Sequence, residues 1–192
     1  MILGITGSFG SGKTAVTELF KDFGFHVINV DSLYHDIYQR NIFLKARLLI
    51  SFGSTNRETI KGIVFSDSKK LQKLNAITHP LIFRQLKKEI EAIQRIEPDA
   101  NIVVDIPLLF ETNSQLMFDK TIVIKVSKKM QQKRILMKSK RYSKKEIEQI
   151  LASQMPPEEK IKRADFVIDN EGSLQRARSQ IRIILRSIKA LH

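Results

Sequence analysis

The octapeptide Gly7 to Thr14, G-S-F-G-S-G-K-T, constrains this chain more than any other stretch. It satisfies G-x-x-x-x-G-K-[ST] at every fixed position. The apolar run Ile2 to Thr6 leads into it, and a stretch with Val16, Leu19, Phe20 and Phe23 on one helical face leads out. Strand, glycine-rich turn and helix together make a phosphate cradle. Gly7, Gly10 and Gly12 let the main chain approach phosphate oxygens without a Cβ in the way. Successive N–H groups of Ser8 to Thr14, Ser11 among them, are expected to face inward as an anion nest, the helix start adds its positive end, and Ala15 is counted with the ATP-binding residues. Lys13 is expected at the β- and γ-phosphates as a catalytic cation, and the Thr14 hydroxyl on a magnesium ion.

Short runs rich in Ile and Val recur at Ile2 to Thr6, His26 to Val30, Ile102 to Ile106, Lys120 to Val126 and Phe166 to Ile168. Several lack polar alternation, as strands buried on both faces do. Helical patterns separate them, including Pro80 to Ile96 and a C-terminal helix capped by Ser173 with Leu174, Ala177, Ile181, Ile184, Leu185 and Ile188 in one stripe. The alternation predicts an α/β fold, a parallel sheet with helices on both faces. Two helical excursions interrupt it. The reading is therefore one domain, 1–192, with a core of 1–31, 95–126 and 164–192, an acceptor-binding insertion over 32–94 and a lid over 127–163.

Composition narrows the partners. The net charge is +13, and Lys125 to Arg163 holds 13 Lys or Arg against 4 Glu. That density reads as a solvated helical face or as a basic flap over phosphates. A single-strand nucleic-acid platform lacks stacking aromatics, because Tyr142 is the only one in the run. Cysteine is absent, so no disulfide or thiolate site is expected. No apolar run reaches membrane-spanning length. The N-terminus lacks a basic region and a small-residue cleavage site, so a cytoplasmic location is expected. His26, His35, His79 and His192 have no metal-ligand spacing.

The phosphate loop fixes the ligand class and leaves the reaction open. A GTPase needs N-K-x-D, which does not occur; the D-x-x-G at Asp169 to Gly172 reads as a strand turning into a helix. Asp22-Phe23-Gly24 has no catalytic loop upstream and is read as coincidence. A hydroxyl attacking a γ-phosphate needs a carboxylate to orient it and accept its proton. Asp31, at the end of His26 to Val30, is assigned to the acceptor hydroxyl. Asp105, after Ile102-Val103-Val104, is assigned to the magnesium shell, directly or through water. Glu111 is a weaker supporting candidate.

These residues, taken in order, resemble the dephospho-CoA kinase family. The resemblance rests on I-T-G-S-F-G-S-G-K-T, on H-V-I-N-V-D ending at Asp31, and on N-A-I-T-H-P-L-I around His79 and Pro80. D-I-P-L-L-F-E, Asp105 to Glu111, is the most specific piece, and the tail Ile150 to Gly172 fits a Q…K…AD.VI.N.G pattern. The resemblance implies phosphorylation of the ribose 3′-hydroxyl of dephospho-CoA by ATP with Mg²⁺, a CoA-binding helical insertion and a mobile lid. It implies Asp31 as the catalytic carboxylate, Arg134 at ATP phosphates, and Asn170 and Gly172 near the adenine. His35, Arg57, His79, Pro107, Leu108 and Glu111 fall on the acceptor side, with His79 read as a capping or hydrogen-bonding residue. No nucleic-acid or membrane partner is expected, and a monomer is favoured. The chain departs from the family pattern in three places. Asn29 stands where a first acid is usual, His35 where an arginine is common, and Lys138 where a second lid arginine is common, with Arg141 as the other candidate for that role. A different small-molecule kinase and a basic nucleic-acid module remain the competing readings.

Overall fold

The computed structural model describes residues 1–65, 67–138 and 143–190; Arg141 and His192 lie outside them, as does the side chain of Lys138. In chain order the elements are β1 (Ile2–Gly7), α1 (Lys13–Glu18) continued by a 3₁₀ turn at Leu19–Phe23, β2 (Phe25–Asn29), α2 (Val30–Arg40), α3 (Ile42–Phe52), α4 (Arg57–Phe65) and α5 (Ser68–Ile96). They continue with β3 (Asn101–Asp105), β4 (Lys120–Lys125), α6 (Lys128–Lys138), α7 (Lys144–Ala152), α8 (Pro157–Arg163), β5 (Phe166–Asp169) and α9 (Leu174–Lys189). Two compact units result: Met1–Ile28 with Asp99–His192, and Asn29–Pro98. None of the helices among the described residues is long and apolar enough to cross a membrane.

In the first unit the strand order is β2-β3-β1-β4-β5. β1 pairs in parallel with β3 and β4, and β4 with β5. Side chains alternate across a strand. Leu3, Ile5, Val103, Ile122, Ile124 and Ile168 therefore share one core with Val16 and Phe20 from the α1 side and Ala177, Ile181, Ile184 and Ile188 of α9. On the other face Gly4 admits two large side chains. A Cβ there would stand 2.6 Å from Phe118 Cδ2 and 2.7 Å from Leu109 Cδ1. Burial on both faces explains why these strands read as unbroken apolar runs. Ser173 caps α9, its side chain accepting from Arg176 N–H at 3.3 Å.

The second unit is helical, with Leu44, Leu48, Ile60 and Val64 at its centre and Leu71, Leu74, Ile77 and Leu81 packed against them. Two expectations need correction. The helix expected to open at Pro80 begins at Ser68, where Asp67 caps it, and Pro80 lies inside it. An interior proline costs about 3 kcal/mol. Leu71, Leu74 and Ile77 of α5, partly buried against Leu44, Leu48, Ile60 and Val64, work against that cost. The second strand ends at Asn29 and not at Val30. The Asn29 side chain accepts from Ser32 N–H at 2.9 Å and starts α2, so Asp31 occupies the first turn of a helix, exposed, and does not end a strand.

Asp165, just before β5, ties that strand to β4. Its Oδ2 accepts from the Thr121 N–H and the Thr121 hydroxyl, each at 2.8 Å, and Lys120 Nζ lies 3.5 Å from Oδ1. Burial pushes this carboxyl up, but the Thr121 hydrogen bonds and the Lys120 charge outweigh it and hold the group below its ordinary value. A depressed carboxyl stabilises the fold above the ordinary carboxylate range and loses that contribution as pH falls through the depressed value. Asp165→Ala is expected to cost about 1–2 kcal/mol at neutral pH, the low end for bonds to a charged group, because the carboxylate is partly solvated. Urea melts at pH 7 and pH 3 check this; the gap between variant and parent should shrink at the lower pH.

Candidate active site

The register that sets Ile5 beside Asp105 brings the ends of β1 and β3 together. Strand alternation puts Asp105 on the same face as Val103, the face that α1 covers. Asp105 is 1% exposed, a desolvated carboxylate that needs partners. It has two from the start of α1: the Lys13 ammonium forms an ion pair with it, and the Thr14 hydroxyl donates to Oδ2 at 3.2 Å. Ile106 N–H extends the ladder one step, donating to Ile5 C=O at 2.9 Å.

The loop between β1 and α1 closes on itself, with Ser11 N–H donating to Ser8 C=O at 2.9 Å. Gly12 has φ 81°, and a Cβ there would stand 2.6 Å from Asn170 Nδ2 and 2.9 Å from Arg134 Nη1. Both the left-handed backbone and the close approach require glycine. No side chain caps α1, so its first turn offers amide dipoles to an anion. The Ser11 hydroxyl is buried beside Gly7 and has no hydrogen-bond partner among the described residues. Thr14 and Ala15 are exposed.

Residues from later in the chain hold the rim of this loop. Arg134 Nη1 donates to Ser11 C=O at 2.7 Å and Nη2 to Asn170 C=O at 2.9 Å. Asn170, 3% exposed, donates through Nδ2 to Ser11 C=O at 2.8 Å. Phe9 is held at both main-chain groups: Gln131 Nε2 donates to its carbonyl at 2.8 Å, and its N–H donates to Gln154 Oε1 at 2.9 Å. Gly172 is exposed in the turn before α9.

Beyond Asp105, the Pro107 carbonyl accepts from the Thr6 hydroxyl and from Lys160 Nζ, each at 3.0 Å. Lys160 also pairs with Glu111 Oε1 at 2.9 Å, and that oxygen accepts Met155 N–H at 2.8 Å. The Leu108 carbonyl accepts from Thr112. Glu111 is thus engaged inside the first unit. Lys160, Gln131 and Gln154 received no role from the sequence. Gln154 and Lys160 fall in the tail whose pattern was matched, yet spacing alone did not say what they bind.

Within the second unit, Arg57 lies over the Tyr34 ring at 5.3 Å, and its Nη1 is 3.4 Å from His35 Nδ1. Gln39 meets the other ring nitrogen of His35 at 2.7 Å. His79 packs edge-on against Phe83 at 6.1 Å, and burial lowers its pKa, which keeps the ring neutral at pH 7. The structure therefore brings together Gly7, Gly10, Gly12, Lys13, Thr14, Asp105, Arg134 and Asn170 in one unit, and His35 and Arg57 in the other.

The family model described as dephospho-CoA kinase matches residues 1–176. The dephospho-CoA kinase of Carboxydothermus hydrogenoformans is 38% identical, with 98% of this chain and 94% of that protein aligned. A crystal structure from Thermus thermophilus superposes with a TM-score of 0.80 at 31% identity, over 99% of this chain and 96% of that one. The dephospho-CoA kinase structure from Campylobacter jejuni gives 0.67 at 26% identity, over 97% and 96%. A family model that matches residues 1–176, with 38% identity to a dephospho-CoA kinase across 98% of the chain, places it in the dephospho-CoA kinase family.

Proposed function

We infer that this chain transfers the γ-phosphoryl group of ATP to the ribose 3′-hydroxyl of dephospho-CoA, releasing ADP and CoA. The observation that carries the reading is the buried Asp105 held by Lys13 and Thr14 at the phosphate loop of a chain in this family. The acceptor oxygen attacks the γ-phosphorus as the bridging bond to the β-phosphate breaks. The electron pair leaves on ADP, and the hydroxyl proton passes to the Asp31 carboxylate. Lys13 exchanges Asp105 for the β- and γ-phosphates and stabilises the charge on the transferred group. The loop amides hold the phosphates, and Arg134 keeps further N–H donors for them beyond the two it spends on carbonyls.

The residues fit a magnesium ion. Asp105 and Thr14 supply hard oxygen donors beside the phosphate cradle, the set that Mg²⁺ takes together with nucleotide oxygens. The ion supplies charge neutralisation between the phosphates when bound. On the acceptor side, Arg57, held by His35 and backed by Tyr34, supports a role in gripping acceptor phosphates, and neutral His79 supports a hydrogen-bonding role.

ADP release followed with dephospho-CoA as the sole acceptor tests the reaction. Turnover is expected with this acceptor and not with a panel of nucleosides, nucleotides and sugars; equal turnover on another alcohol would point to a different small-molecule kinase. Asp31→Asn should lower kcat on the order of 10²–10⁴-fold, with the KM for ATP little changed. Near-normal kcat would rule Asp31 out as the proton acceptor. Gly12→Ala is expected to weaken ATP binding on the order of 100-fold, because the added methyl meets Asn170 and Arg134 and the backbone is left-handed. Calorimetric titration with ATP checks it.

A further inference from the structure

Lys160 is 0% exposed, and phosphoryl transfer as derived above does not use it. Its ammonium sits between two oxygens from the stretch after β3: the Pro107 carbonyl at 3.0 Å and Glu111 Oε1 at 2.9 Å. A buried ion pair is seldom the most stable solution, since apolar side chains of the same volume commonly do as well or better. The charge at this place therefore asks for a reason beyond stability, and its partners supply one.

Pro107 is where the β1–β3 ladder stops. Ile106 N–H, donating to Ile5 C=O, makes the last rung among the described bonds, and Pro107 follows it directly. What holds the chain beyond that rung is the Pro107 carbonyl, which takes two donors, the Thr6 hydroxyl and Lys160. Thr6 directly precedes Gly7, the first residue of the phosphate loop, and Pro107 follows Asp105 by two residues. The two donors thus tie the exit of β3 to the entrance of the loop, two residues beyond the carboxylate that faces Lys13 and Thr14. Glu111 balances the Lys160 charge and, by accepting Met155 N–H, holds the turn that leads into α8 and delivers Lys160.

We propose that Lys160 is a positioning residue for phosphoryl transfer: through the Pro107 carbonyl it fixes the spacing between the phosphate loop and the Asp105 carboxylate, with Glu111 as its counter-ion. The inference rests on the kinase reading above. It requires a charged donor at Pro107, which a well-packed apolar pair cannot replace.

Kinetics and thermal melts of four proteins test it: the parent, Lys160→Met, the double variant Lys160→Met with Glu111→Met, and Thr6→Val. Lys160→Met leaves Glu111 buried without its cation, and both melting temperature and kcat should fall. The double variant removes both charges and is expected to regain the parent's melting temperature. Its kcat should stay on the order of 10- to 100-fold down while the KM for ATP moves less than about threefold, as expected when reacting groups are displaced and binding is kept. Thr6→Val takes the other donor from Pro107, leaves the ion pair intact, and is expected to lower kcat several-fold with little change in melting temperature. Recovery of kcat along with stability in the double variant, or parent-like kcat in Thr6→Val, overturns the proposal. Absence of CoA formation by the parent would instead overturn the kinase reading, and this inference with it.

Discussion

A lysine ammonium against a desolvated carboxylate organises the first unit. Asp105 cannot stay ionised away from water without a cation and a hydroxyl, and both come from the start of α1. That demand fixes much else. β1 and β3 must be neighbours in register, the loop between β1 and α1 must turn tightly enough to return Lys13 over β3, and the loop must contain residues without side chains where later elements press on it. In the proposed reaction an incoming phosphate competes with this carboxylate for the Lys13 cation.

The parts legible in the sequence are those whose signal is local. The five strands are visible because buried parallel strands leave uninterrupted Ile and Val runs, and α9 is visible because Ala177, Ile181, Ile184 and Ile188 repeat at helical spacing behind the Ser173 cap. The phosphate loop carries its chemistry in contiguous residues. Asp31 is easily misplaced onto a strand end because Val30 looks like strand, while the cap that starts α2 is the side chain of Asn29, a residue that in sequence shows only as a departure from a pattern. Pro80 misleads for a related reason: the proline is a strong local signal, and the packing that overrides it comes from Leu44, Leu48, Ile60 and Val64 far away in sequence.

The basic stretch shows the same limit in electrostatic terms. Counting charges over Lys125 to Arg163 locates a cationic region correctly but gives every residue equal weight. Lys128, Lys129, Lys133, Lys144, Lys162 and Arg163 face water. Arg134 grips two carbonyls at the phosphate loop, and Lys160 is sealed from solvent between Pro107 and Glu111. Lys160 and Lys162 are two residues apart on one short helix, and nothing in that helix distinguishes them. The distinguishing partner, Glu111, lies 49 positions upstream.

The grip on Phe9 has a mechanical consequence. A residue tethered at its N–H by one glutamine and at its C=O by another behaves like a bolt seated in two brackets, one on each flanking peptide. Each flanking peptide must lose its own bracket before it can turn. One bracket, Gln131, stands on α6 and the other, Gln154, just after α7, so a displacement at either place pulls on the crest of the loop between β1 and α1.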